Sequence, residues 1–121
     1  MTLANSNAIS PNNVIAPSFR STIDLMHKLS VQQLDAALAA LPGWSVVNEK
    51  LHREYKFPDF VHAFGFMATA AIAIEKMNHH PEWFNVYNKV IVDLTTHDAG
   101  GVTQKDVDLA RLLDTFAGKL Q

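Results

Sequence analysis

From Pro58 to about Asn78 the chain carries an apolar stretch of helical period set between two runs that alternate like β-strands, and this order restricts the fold more than any other feature. Pro58 opens the stretch where a missing N–H costs little, and Asp59 puts a negative charge at the positive end of a helix. Phe60, Phe64, Met67, Ala71 and Ile74 then recur as an apolar stripe, expected to pack in the core. Gly65 and Ala68, Ala70, Ala71 and Ala73 let another element approach closely. Upstream, Trp44 to Val47 and Leu51 to Phe57, separated by Asn48-Glu49-Lys50, read as a hairpin. Leu51, Arg53, Tyr55 and Phe57 share one face of its second strand; His52, Glu54 and Lys56 share the other. Downstream, Phe84 to Tyr87 and Val90 to Thr96 read as a second hairpin. Phe84 and Val86 can join Val90, Val92 and Leu94 on the buried face only if the turn around Asn88-Lys89 holds an odd number of residues or a bulge. Ile91, Asp93, Thr95 and His97 take the opposite face.

Two further helices complete the pattern. Ser30-Val31-Gln32-Gln33 fits a capping box, and Leu34, Leu38 and Leu41 recur at helical spacing until Pro42-Gly43, which gives a helix from about Val31 to Leu41. After Ala99-Gly100-Gly101, Thr103 caps a last helix with Asp106 near its positive end, and Val107, Ala110, Leu113 or Asp114, and Ala117 mark its course. The order α-β-β-α-β-β-α predicts an α+β domain, a four-stranded antiparallel sheet with three helices packed on one face. With 121 residues, 48% of them hydrophobic, one such domain can bury a real core. Residues 1–20, rich in Asn, Ser and Ala, read as a mobile arm before a domain spanning 21–121. Ile23, Leu25 and Met26 fit either an edge strand or a short helix.

The net charge of −2 arises from interspersed acids and bases, with no basic block for a phosphate backbone, so no direct nucleic-acid contact is expected. No apolar run approaches the roughly 20 residues that cross a bilayer, and the start lacks the basic-then-apolar order of a secretory signal and the arginines of a transit peptide. The expectation is a soluble, cytoplasmic protein without membrane contact. Because the chain has no cysteine, disulfides, thiolate nucleophiles and cysteine-held zinc are excluded, which leaves histidine and carboxylates for chemistry.

Three of the six histidines gather in the second half of the chain, in Asn78-His79-His80-Pro81-Glu82-Trp83 and Thr95-Thr96-His97-Asp98. Histidine titrates near neutrality, so this grouping points to proton transfer. Pro81 biases His80 away from helix, and adjacent side chains of extended backbone point oppositely, so His79 and His80 are expected to have different roles. A catalytic zinc on three imidazoles is the competing reading. The chain lacks the i, i+4 pair that sets two ligands on one helical face, and adjacent histidines chelate poorly, so no metal is expected. His27, His52 and His62 read as surface or packing residues. Trp83 suits either the core or a wall stacked on a flat ligand, and Glu75 either a helix-end surface charge or a group orienting a histidine. Glu82 and Asp98 read as solvated or capping carboxylates, with Asp98 also suited to a substrate amine, and Thr95 and Thr96 carry hydroxyls that could position a polar ring.

Glu75 to Val90, with Thr96-His97 and the blocks Phe57, Phe60, Ala63 to Met67 and Asp106, Asp108, Leu109, Ala110, resembles the pterin-4a-carbinolamine dehydratases. The similarity runs from about Leu29 to the C-terminus. It implies dehydration of a 4a-hydroxytetrahydropterin to the quinonoid dihydropterin in recycling the cofactor of aromatic amino-acid hydroxylases, without a cofactor of the dehydratase's own. It also implies a homodimer or homotetramer, and a vertebrate member of the family doubles as a dimerisation cofactor of a homeodomain transcription factor. On this resemblance His79 and His97 transfer protons and His80 chiefly binds and orients. Glu75, Asn78, Pro81, Trp83, Thr95, Thr96 and Asp98 complete the substrate site. Family members commonly carry aspartate where this chain has Asn78.

Overall fold

A computed structural model describes residues 26–121. The expected arm and the Ile23–Leu25 segment lie outside the described residues. The elements are α1 (Val31–Ala39), β1 (Ser45–Val47), β2 (Lys50–Lys56), α2 (Phe60–Met77), β3 (Glu82–Val86), β4 (Lys89–Leu94), a short 3₁₀ turn (His97–Ala99) and α3 (Gln104–Leu120). The strands form one antiparallel sheet in the order β1-β2-β4-β3, and the predicted α+β order holds.

Local chemistry explains the boundaries. Ser30 caps α1 with a complete capping box through Gln33, which satisfies two donors at the helix start. Asn48 and Glu49 both take positive φ, 52° and 63°, the two-residue turn whose twist suits a hairpin, so Lys50 belongs to β2 rather than to the turn. Asp59 caps α2 by accepting the His62 N–H at 2.9 Å.

The sheet's covered face carries Leu51, Tyr55, Val90, Val92 and Leu94, all essentially without solvent contact. Against them lie Ala63, Phe66, Ala70 and Ile74 of α2 and Val107, Leu109, Ala110, Leu113 and Ala117 of α3. Asp114 fastens α3 to the sheet side: it accepts from Trp44 Nε1 at 3.0 Å, Arg53 at 3.0 Å and the Tyr55 hydroxyl at 2.5 Å. Burial, and then this carboxylate, push the Tyr55 phenol well above its ordinary range.

Three expectations need correction. Phe60, Phe64 and Ala71 do not face the core: Phe64 is 56% exposed, and its ring stacks on Phe60 at 5.8 Å on the surface. Apolar residues surround nearly the whole of α2, so periodicity fits two stripes, and the one with the small Ala63 and Ala70 packs inward. Among the described residues α2 is long and apolar enough to reach across a bilayer by length and composition, contrary to the sequence reading, although Ala63, Phe66, Ala70 and Ile74 are packed in the core. Finally, Val86 pairs with Lys89 across the two-residue turn Tyr87-Asn88. The even count puts Trp83 and Asn85 opposite Val92 and Val90, and leaves Phe84 60% exposed on the outer face.

Candidate active site

The exit of α2, the end of β4 and the start of α3 meet at one end of the sheet. Asn78 stops α2 in the left-handed conformation (φ 53°), its N–H held by the carbonyls of Glu75 and Ile74, a backbone asparagine tolerates better than most residues. The reversal turns His79 inward. Its ring, 8% exposed as a residue, sets Nε2 2.5 Å from Oδ1 of Asp106.

Asp106 is fully buried. Its Oδ2 accepts from the Thr96 hydroxyl at 2.8 Å and from the Thr103 N–H at 2.9 Å, the latter half of the capping box that starts α3. With the Thr96 proton so engaged, the Thr103 hydroxyl donates to Thr96 Oγ1, 2.8 Å away. A carboxylate that accepts from three sides leaves His79 Nε2 as the donor, so a neutral His79 offers its lone pair at Nδ1.

His80 points outward, with Nε2 2.9 Å from Glu75 Oε1. His97 opens the 3₁₀ turn instead of ending the strand, because β4 stops at Leu94 and Thr96 bridges to Gly101. Its side chain is 79% exposed, with Nε2 3.3 Å from Glu82 Oε2. Each of the three imidazoles thus turns Nε2 towards a carboxylate. Lys50, bonded to Glu82 at 2.6 Å, and then His97 hold the Glu82 carboxyl below the usual range.

His79, His80 and His97 line a single open cavity of about 360 Å³, with Asn78, Thr95, Thr96 and Asp98 completing the predicted part of its wall. That volume lies in the range of small-molecule sites. Glu75, Pro81 and Trp83 are not on the wall. Glu75 reaches it through His80, and Trp83 packs edge-on against Phe66 at 6.5 Å, as a core aromatic. Met26 and Lys105 line the cavity and Asp106 stands behind it, none of them singled out as site residues from sequence. Thr103-x-x-Asp106 was legible as a cap; nothing in a linear sequence says that the same carboxylate also holds a histidine from 27 positions earlier. Among the described residues no three histidine, aspartate or glutamate side chains converge as a metal-ligand set.

Fold and pocket together define an α+β domain with three imidazoles, each turned to a carboxylate, around one open cavity. Residues 27–116 match the family model described as pterin 4 alpha carbinolamine dehydratase, and the chain belongs to that family of hydro-lyases. A relative from Solibacter usitatus (strain Ellin6076) is 63% identical over 90 residues, covering 74% of this chain and 95% of its own. One from Burkholderia cenocepacia (strain HI2424) is 46% identical over 99 residues, covering 80% and 97%. Both bear the name "Putative pterin-4-alpha-carbinolamine dehydratase". A crystal structure of a transcriptional coactivator/pterin dehydratase from Brucella melitensis is similar at a TM-score of 0.74 and 49% identity, over 76% of this chain and 100% of that one.

Proposed function

We propose that the chain converts a 4a-hydroxytetrahydropterin to the quinonoid dihydropterin and water by histidine acid–base catalysis, in the recycling of tetrahydrobiopterin for an aromatic amino-acid hydroxylase. The observation that carries this reading is the single cavity lined by His79, His80 and His97. In the reaction the C4a–O bond breaks, the hydroxyl leaves as water with a proton from an acid, N5 gives its proton to a base, and a C4a=N5 double bond forms. Atoms and electrons balance without a metal, nucleotide or redox cofactor, and none is proposed. His79 and His97 carry the two proton transfers and His80 orients the ring. Asp106 fixes the tautomer of His79 so that its proton moves at Nδ1, and Glu75 steadies His80.

Replacing His79 or His97 with Ala should lower kcat by about 10²- to 10⁴-fold, while His80→Ala should chiefly raise KM. Stopped-flow absorbance on chemically prepared substrate reads both. Near-wild-type turnover in both His79→Ala and His97→Ala would defeat the assignment.

The protein is also proposed to work as a homodimer or homotetramer in the cytoplasm. Phe60, Val61, Phe64 and Ile72 leave an apolar face of α2 open to solvent, which supports self-association. The same face supports a second reading, a non-catalytic cofactor that binds a partner helix; the Brucella melitensis protein of similar structure is described as a transcriptional coactivator as well as a pterin dehydratase.

A further inference from the structure

His97 is the least constrained of the three histidines. It sits in a 3₁₀ turn between two cavities, the main one and a smaller one of about 240 Å³ lined by Lys50, Thr95, Gly100 and Gly101 among others. Its ring could therefore swing into either. Among the described residues the one side chain in contact with its ring nitrogens is Glu82.

Glu82 is itself held. It opens β3 at the sheet edge, opposite Asp93 of β4. Lys50 opens β2 on the far side of β4 and reaches across that strand, setting Nζ 2.6 Å from Glu82 Oε1. The second oxygen, Oε2, is left facing His97 Nε2 at 3.3 Å. One oxygen of this carboxylate thus meets Lys50 and the other faces His97, two partners on different elements.

We infer that Glu82 is a positioning residue for His97 and that Lys50, through Glu82, keeps the imidazole turned to the main cavity with Nδ1 as its working nitrogen. The inference rests on the proton-transfer role of His97 proposed above. The contact is longer than a good hydrogen bond and is expected to shorten when substrate fills the cavity, as contacts in empty active sites often do. Without it the ring samples the smaller cavity and the fraction of productive encounters falls.

The test is a double-mutant cycle with a spectroscopic arm on full-length protein. Glu82→Gln should lower kcat roughly 10-fold with KM within about twofold, the signature of a misplaced catalytic group rather than lost binding. Lys50→Met, which removes an exposed ion pair, should lower kcat about threefold. In a His97→Ala background Glu82→Gln should have no further effect. Independently of turnover, ¹⁵N-edited spectra of the histidine rings should show the His97 ring nitrogens changed by Glu82→Gln, with those of His79 and His80 unaltered. Unchanged His97 signals, or an equal loss of kcat with and without His97, would overturn the inference. If His97→Ala itself keeps full activity, the proton-transfer reading fails separately, and the ring spectra still decide whether Glu82 holds His97.

Discussion

Asp106→Asn is the sharpest perturbation of the pocket because it changes one hydrogen-bonding face and almost no volume. The asparagine carbonyl can take the place of Oδ2 and go on accepting from Thr96 and the Thr103 N–H, so the start of α3 stays capped. The amide NH₂ then meets His79 Nε2, 2.5 Å away in the parent protein, where two donors would collide. The ring escapes by moving its proton to Nδ1, which lets Nε2 accept and removes the basic nitrogen from the cavity. A histidine locked in the wrong tautomer by this exchange costs about 10⁴-fold in a serine-protease triad, and a positioned acid or base is generally worth about 10²- to 10⁴-fold. The expectation is therefore a kcat lower by about 10²- to 10⁴-fold, or about 3 to 5 kcal/mol of transition-state stabilisation. Exchanging a charge-assisted bond for a neutral one should cost about 1 to 2 kcal/mol of stability, lowering Tm by roughly 5 to 15 °C. Stopped-flow turnover at 25 °C and a thermal melt on the same sample separate the two effects. A folded Asp106→Asn protein with kcat within about threefold of the parent would refute the tautomer argument.

Other outcomes follow from parts of the fold distant from the pocket. Tyr55 has its folded pKa raised above the ordinary 10.0, so the stability it contributes is complete below about pH 10 and declines as pH rises further and the unfolded phenol ionises. Thermal melts between pH 8 and 11 should show this decline and Tyr55→Phe should flatten it; a Tyr55→Phe profile with the same slope would contradict the assignment. Phe64→Glu, on the exposed face of α2, should convert the proposed oligomer to monomer in light scattering with the thermal melt little changed, and a parent protein already monomeric at micromolar concentration would count against self-association.

Much of this architecture was legible because local signals and global order agree. Ser30 with Gln33 and Thr103 with Asp106 are capping boxes readable from four consecutive residues. The alternation of Leu51, Arg53, Tyr55 and Phe57 assigned β2 its buried face correctly. Where two solutions satisfied the same pattern, tertiary packing chose between them. The apolar girdle of α2 gave no reason to prefer Ala63 and Phe66 over Phe60 and Phe64, and the parity of the Tyr87-Asn88 turn, invisible in composition, decided the fate of Phe84. In the pocket, the histidine-rich segments stood out because of residue type. Of the carboxylates that hold those histidines, Glu75 was legible as a group that could orient one, but Asp106 already had a sufficient explanation as a cap, and the pairing of Glu82 with Lys50 depends on two strands being separated by a third. Non-local hydrogen bonds of this kind leave no periodic trace.

On the proposed function, this pocket dehydrates a pterin carbinolamine with its own side chains. The most direct test is the rate of conversion of a chemically prepared 4a-hydroxytetrahydropterin, followed by stopped-flow absorbance, with protein stripped by a strong chelator and checked by elemental analysis. Rapid conversion to the quinonoid dihydropterin is expected, well above the uncatalysed rate, at full activity after stripping. No acceleration over buffer, or activity that disappears on stripping and returns with zinc alone, would contradict it.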